Sequence, residues 1–187
     1  AGANNIWTVG NGGTILKYNG SSWSAQSSGT TLALQGVWGT NASNVWAVGQ
    51  SGTILKYDGT SWTSQSSGTS TLLNRIGGIG ENNIWAVGYR GVILKYDGTS
   101  WQTESTETSA VIEDLWGTNE NNIWTVGSYG TILKKEAPTC IEPDNIYVSR
   151  FGCDLLNGYE GDEIGHYGVA LSGDGKWVAV GYPNNFG

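Results

Sequence analysis

The side chains that most often carry out chemistry are few in this chain and widely spaced. Acid–base hydrolysis needs two carboxylates facing each other across a substrate. The candidates are Glu113 and Asp114 in one stretch and Glu160, Asp162 and Glu163 in another. The first two sit at a blade entry and the others in a tail loop, and solvated loop charge is the expected role of all five. The single histidine, His166, has no Gly-x-Ser-x-Gly elbow beside it, so a serine nucleophile lacks its base. Gly12-Gly13 and Gly77-Gly78 read as turn glycines, because no phosphate-cradling loop leads from a strand into a helix there. A zinc site is not expected, since one histidine cannot supply the ligands that Cys140 and Cys153 would leave missing. The sequence predicts no catalytic residue, no cofactor and no metal.

Covalent modification is better represented. Cys140 and Cys153 are 13 positions apart with no other cysteine to compete, which predicts a small disulfide loop in an oxidising compartment. The alternative is a pair of reduced, partly buried thiols. Asn19-Gly20-Ser21 and Asn41-Ala42-Ser43 are sequons, making Asn19 and Asn41 candidate glycan acceptors in a secretory host. Ser/Thr tracts at 27–31, 66–71 and 103–109 have the composition of O-linked acceptors.

Charge narrows the partners. The 187 residues carry a formal net charge of −7 with only 9 Lys and Arg. Nucleic-acid readers concentrate basic residues on one face, and no such patch is present. Nucleic acid is not an expected partner. No apolar run approaches the roughly 20 residues that cross a bilayer, so no membrane insertion is expected. The chain starts inside a repeat, so a processed or partial product is expected, with any secretion signal upstream.

The elements behind these residues come from repetition. NIWTVGNGGTILKYNGSSW begins at Asn5, and close copies begin at Asn44, Asn83 and Asn122. Their first tryptophans are Trp7, Trp46, Trp85 and Trp124, a period of 39 residues without drift. One supersecondary unit is therefore used several times. Within the second copy, 35–39, 44–49, 52–59 and 61–67 are short apolar stretches separated by Gly, Asn, Asp and Ser. That pattern predicts four antiparallel strands and no helices. Asn19-Gly20, Asp58-Gly59 and Asp97-Gly98 read as tight hairpins with primed turns. Ile84 and Ala86 point one way and Trp85 and Val87 the other, so both faces are apolar and both are to be covered. Four strands in about 40 residues is the arithmetic of an all-β fold, a β-propeller of four-stranded antiparallel blades. A solenoid of parallel coils is the competing architecture. The tryptophans are assigned to packing between blades.

Residues 1–135 hold four repeats, the first lacking a leading strand and the last a trailing one. Residues 136–143, with two of the three prolines, form a linker. In 144–187, YGVALSGDG followed by KWVAVGYP predicts a hairpin around Gly173-Asp174-Gly175.

The first 135 residues resemble bacterial-type propeller repeats with W-x-V-G, G-x-I-L-x-Y-D-G and a following Trp. They are distantly similar to the Asp-box repeats of sialidase-like propellers, through Asp58-Gly59-Thr60-Ser61-Trp62, which lacks the residue that normally separates Asp from Gly. In those families the box is a structural turn. A sialidase also needs an arginine cluster, and this chain has only Arg75, Arg90 and Arg150. The tail resembles an FG-GAP repeat of integrin-α-like propellers, from Gly165-His166-Tyr167-Gly168 to Val180-Gly181-Tyr182-Pro183. Of the calcium loop that this resemblance implies, the chain keeps Asp174-Gly175, so calcium is not expected.

The functional expectation is a non-enzymatic, secreted or surface-located propeller serving as a structural or adhesive module. Incomplete terminal blades left with open edges predict self-association, as an oligomer or a fibre completed by strand pairing between subunits. A second expectation is a loop face that binds glycans or a cell-surface protein. Gln50, Tyr89, Arg90 and Tyr129, which differ between copies at one equivalent place, are its candidate rim. A third, a sialidase-like hydrolase, requires residues from sequence outside this chain.

Overall fold

The computed structural model describes residues 5–135 and, beyond them, the strands Val169–Leu171 and Val178–Val180. The chain divides into two compact units, Ala1–Lys135 and Glu136–Gly187. Cys140, Cys153, the linker 136–143 and the Asp174-Gly175 loop lie outside the described residues.

Four antiparallel sheets make up the first unit. Sheet 1 contains β1 (Ile6–Val9), β2 (Ile15–Tyr18) and β3 (Trp23–Gln26). Sheet 2 contains β4 (Leu34–Asn41), β5 (Asn44–Gly49), β6 (Ile54–Tyr57) and β7 (Trp62–Gln65). Sheet 3 repeats it with β8 (Leu73–Gly80), β9 (Asn83–Gly88), β10 (Ile93–Tyr96) and β11 (Trp101–Glu104). Sheet 4 has three strands among the described residues, β12 (Ile112–Asn119), β13 (Asn122–Gly127) and β14 (Ile132–Lys135). Strands follow chain order within every sheet. All pairings described are antiparallel, which removes the parallel-coil solenoid. In the second unit, β15 (Val169–Leu171) pairs antiparallel with β16 (Val178–Val180), with Val169 opposite Val180.

The period-2 alternation of strands gives each sheet a forward and a rear face. In sheet 2 the pairs Trp46–Lys56 and Val48–Ile54 share the forward face, while Val45–Tyr57, Ala47–Leu55 and Tyr57–Trp62 share the rear. Forward Trp46, Val48 and Ile54 pack on Ile84, Ala86, Leu94, Tyr96 and Trp101 of sheet 3. Trp7, Val9 and Ile15 of sheet 1 meet the rear of sheet 2 in the same way, and Trp85, Val87 and Ile93 meet sheet 4. The core is thus three layers between four sheets, with an indole in each. Burying one such side chain removes on the order of 200 Å² from water. At roughly 25 cal/mol per Å² that is at most about 5 kcal/mol. β4 lies against β8 and β8 against β12, so the sheets approach one another on the side of their first strands.

Two local expectations need correction. The hairpins after Tyr18, Tyr57 and Tyr96 are not two-residue primed turns. Tyr57 pairs with Trp62 across a loop of Asp58, Gly59, Thr60 and Ser61, and only Gly59 has positive φ there (101°). The Asp58 carboxylate accepts from the Thr60 and Ser61 N–H groups, both at 2.8 Å, and this Asx turn replaces the primed geometry. The stretch 52–59 therefore shortens to Ile54–Tyr57 as a strand.

Candidate interaction surfaces

The turn joining the second and third strands of each blade repeat differs in two residues in every copy: Asn11-Gly12, Gln50-Ser51, Tyr89-Arg90 and Ser128-Tyr129. In sheet 2 it runs Gly49-Gln50-Ser51-Gly52-Thr53. Gly49 N–H donates to Thr53 O (3.0 Å), and Thr53 N–H donates to Gln50 O (3.0 Å). Ser51 and Gly52 both take left-handed backbone, at φ 55° and 68°. A Cβ on Gly52 would lie 2.0 Å from Thr69 O, so this glycine admits the loop that leads into sheet 3. Gly91 stands in the same relation to Thr108.

The four candidate rim residues occupy two consecutive positions of this turn, not one. Gln50 and Tyr89 hold the first. Gln50 is tied down: its N–H donates to Ala33 O (2.9 Å), and its Oε1 accepts from Ala33 N–H (3.1 Å). Ser128 makes the same pair of bonds with Val111 in sheet 4. Tyr89 keeps the backbone bond, to Leu72 O at 3.0 Å, and leaves its ring exposed. Arg90 and Tyr129 hold the second position with Ser51, which the sequence comparison missed. All three are non-glycine residues in the left-handed region, and Tyr129 is 99% exposed. Such backbone costs roughly 1 kcal/mol per residue relative to glycine. The signal was available, because the first repeat has Gly12 at this position, with φ 65°.

Both sequons are exposed and structured. Asn19 Oδ1 accepts from Ser21 and Ser22 N–H (2.9 and 3.0 Å), so Asn19 caps its hairpin as Asp58 does. Asn41 Oδ1 accepts from Ser43 N–H and Oγ (2.9 and 3.0 Å), while its Nδ2 donates to Glu81 Oε1 of the next sheet (2.9 Å). Within the Ser/Thr tracts, Ser28 and Ser67 are buried and donate to Thr30 O and Thr69 O, both at 3.1 Å. Those hydroxyls are committed to packing.

Electrostatics in the described residues is structural in character. Backbone N–H groups of Ser61 and Thr60 hold the exposed Asp58 carboxyl below its ordinary 3.8, and Ser100 and Thr99 do the same for Asp97. Burial raises the Tyr96 phenol, whose O–H donates to Gly98 O at 2.9 Å. Asp114 pairs with Arg75 at 3.0 Å with both side chains half exposed, and Glu113 accepts from Asn74 Nδ2 at 3.4 Å. No group of three or more metal-ligating side chains occurs among the described residues. The lysine of each Ile-Leu-Lys motif lies over the indole of its own sheet: Lys56 is 4.9 Å from Trp46, Lys95 5.5 Å from Trp85 and Lys134 5.4 Å from Trp124. Lys135, standing where other repeats have Tyr, lies over Trp85 and also meets Glu104.

No protein-family model and no curated protein sequence matches the chain. Solved structures do. A structure titled "YCF48 bound to D1 peptide" aligns with a TM-score of 0.52 at 20% identity, over 65% of this chain and 43% of that one. YCF48 from Cyanidioschyzon merolae aligns with a TM-score of 0.57 at 14% identity, over 67% of this chain and 45% of that one. The fold is that of β-propeller blades. This chain spans less than half the length of either structure. At these identities the likeness speaks for the fold alone.

Proposed function

We propose that this chain is a non-enzymatic β-propeller binding module that serves, outside the cell or on its surface, as a structural or adhesive element. The observation that carries the binding role is Tyr129, an aromatic ring 99% exposed on left-handed backbone. Selection for stability alone favours glycine there, as at Gly12. Arg90 holds the corresponding position one sheet earlier, with Tyr89 beside it. Exposed tyrosine and arginine are the residue types that dominate protein–protein contacts. A propeller fold holding a peptide has a precedent in the YCF48 structure titled with its D1 peptide. A protein partner is therefore favoured over a glycan. The extracellular setting is supported by the exposed sequon at Asn41.

The test is selection of peptides from a random displayed library on the 187-residue chain, followed by affinity measurement against an Arg90→Gly, Tyr129→Gly double variant. Affinity should fall at least about tenfold while folding stability stays level or rises, because glycine relieves the left-handed backbone. Peptides that bind the double variant equally well refute the rim.

The structural role has its own support. The first and last sheets have three strands each, with β1 and β14 as edges among the described residues. A strand from another copy would supply main-chain hydrogen bonds to such an edge. Repetition of that contact gives a filament. Electron microscopy that finds only separate single particles refutes assembly of any kind.

A further inference from the structure

We propose that the forward face of sheet 4 and the rear face of sheet 1 are two halves of one interface, filled by a second copy of this chain. The copies stack head to tail, sheet 1 of one upon sheet 4 of the other. This rests on the self-association reading above and places the contact on sheet faces instead of strand edges.

The three internal layers fix what such a contact requires. A forward face offers Trp, Val and Ile at fixed positions, and the next rear face offers apolar strand residues with a Tyr and Trp pair. Trp46 lies 4.8 Å from the Tyr96 ring and 5.5 Å from the Trp101 ring, at 57° and 81°. Sheet 4 carries the same forward triad in the same register, as Trp124, Val126 and Ile132, here 39%, 46% and 65% exposed. Its opposite face is buried through Ile123 and Thr125, so exposure is confined to the forward side.

Sheet 1 carries the matching half. Ile6, Thr8, Leu16, Tyr18 and Trp23 occupy the rear positions filled in sheet 3 by Ile84, Ala86, Leu94, Tyr96 and Trp101. Trp23 is 49% exposed, whereas Trp62 and Trp101 are buried. The Tyr18–Trp23 rings stand 5.3 Å apart at 42°, against 5.2 Å at 36° for Tyr57–Trp62 and 5.3 Å at 41° for Tyr96–Trp101. The aromatic seat therefore has its final geometry before an indole occupies it, which lowers the ordering cost of docking. Because a forward face meets a rear face, copies add in one direction, and the contact either closes into a ring or propagates.

The test uses sedimentation velocity on the 187-residue chain at micromolar concentrations, with Trp124→Ala, Ile132→Glu and Trp23→Ala variants and a mixture of Trp124→Ala with Trp23→Ala. Each substitution lies on an exposed side chain, and far-ultraviolet circular dichroism establishes that each variant is folded. The chain should associate, and each variant alone should dissociate with a constant raised at least about tenfold. The mixture should form a one-to-one dimer, because each variant retains the half that the other lost. Association unchanged in all three variants overturns face stacking and leaves edge pairing as the route. A chain that is monomeric throughout overturns both.

Discussion

Trp46 and Trp124 occupy the same position two repeats apart, in nearly identical local sequence, and differ in what lies in front of them. Trp46 is fully buried against Tyr96 and Trp101, whereas Trp124 is 39% exposed on the forward face of sheet 4. Replacing Trp46 by Ala removes an indole from a closed layer and leaves a cavity, which costs about 3–5 kcal/mol. The upper end coincides with the area ceiling of about 5 kcal/mol for 200 Å². Replacing Trp124 by Ala in the monomeric chain, measured below the concentration at which copies associate, leaves no closed cavity, since water fills the space, so about 1–2 kcal/mol is expected. Urea unfolding followed by far-ultraviolet circular dichroism measures both without depending on the deleted fluorophore. Stacked sheets unfold as coupled units, so the curves are fitted with nearest-neighbour coupling. Equal costs for the two substitutions would refute the reasoning, since propensity and within-sheet contacts would then account for both.

Further outcomes are expected from single positions. Gly52→Ala should cost several kcal/mol, because its Cβ falls 2.0 Å from Thr69 O on left-handed backbone. Gly29→Ala, at φ 71° with nothing within 4 Å, should cost only about 1 kcal/mol by thermal unfolding. Lys135→Tyr restores the repeat residue over Trp85. An aromatic pair like Trp46–Tyr96 should raise stability by roughly 0.5–1 kcal/mol, read from the urea midpoint. The lowered carboxyls of Asp58 and Asp97 contribute stability above the unfolded-state value near 3.8, and it is lost as pH falls through their folded values. Asp58→Asn with Asp97→Asn keeps the turn acceptor, as Asn19 does, so the double variant should lose less stability than the parent below about pH 4.

The architecture was legible because each copy of the repeat reports the same face twice. Alternation placed Ile84 and Ala86 opposite Trp85 and Val87, and both faces are buried in the interior sheets. What alternation cannot carry is which sheet has a neighbour, so identical motifs give a buried Trp46 and an exposed Trp124. The Asp-Gly dipeptides misled because Asp58 supplies its own acceptor to the turn and needs no positive φ. The Gln50 amide serves Ala33, a contact 17 residues away that no local pattern encodes. Lys56 over Trp46 was equally hidden, although the two face each other in the register and recur in every copy.

The account depends on indoles wedged between successive sheets. The most direct measurement is the set of nuclear Overhauser contacts from the Trp46 indole in the 187-residue chain. Cross-peaks to the Tyr96 and Trp101 rings, at 4.8 and 5.5 Å between centroids, are the predicted result. Contacts restricted to residues 34–65, with none to sheet 3, would contradict it.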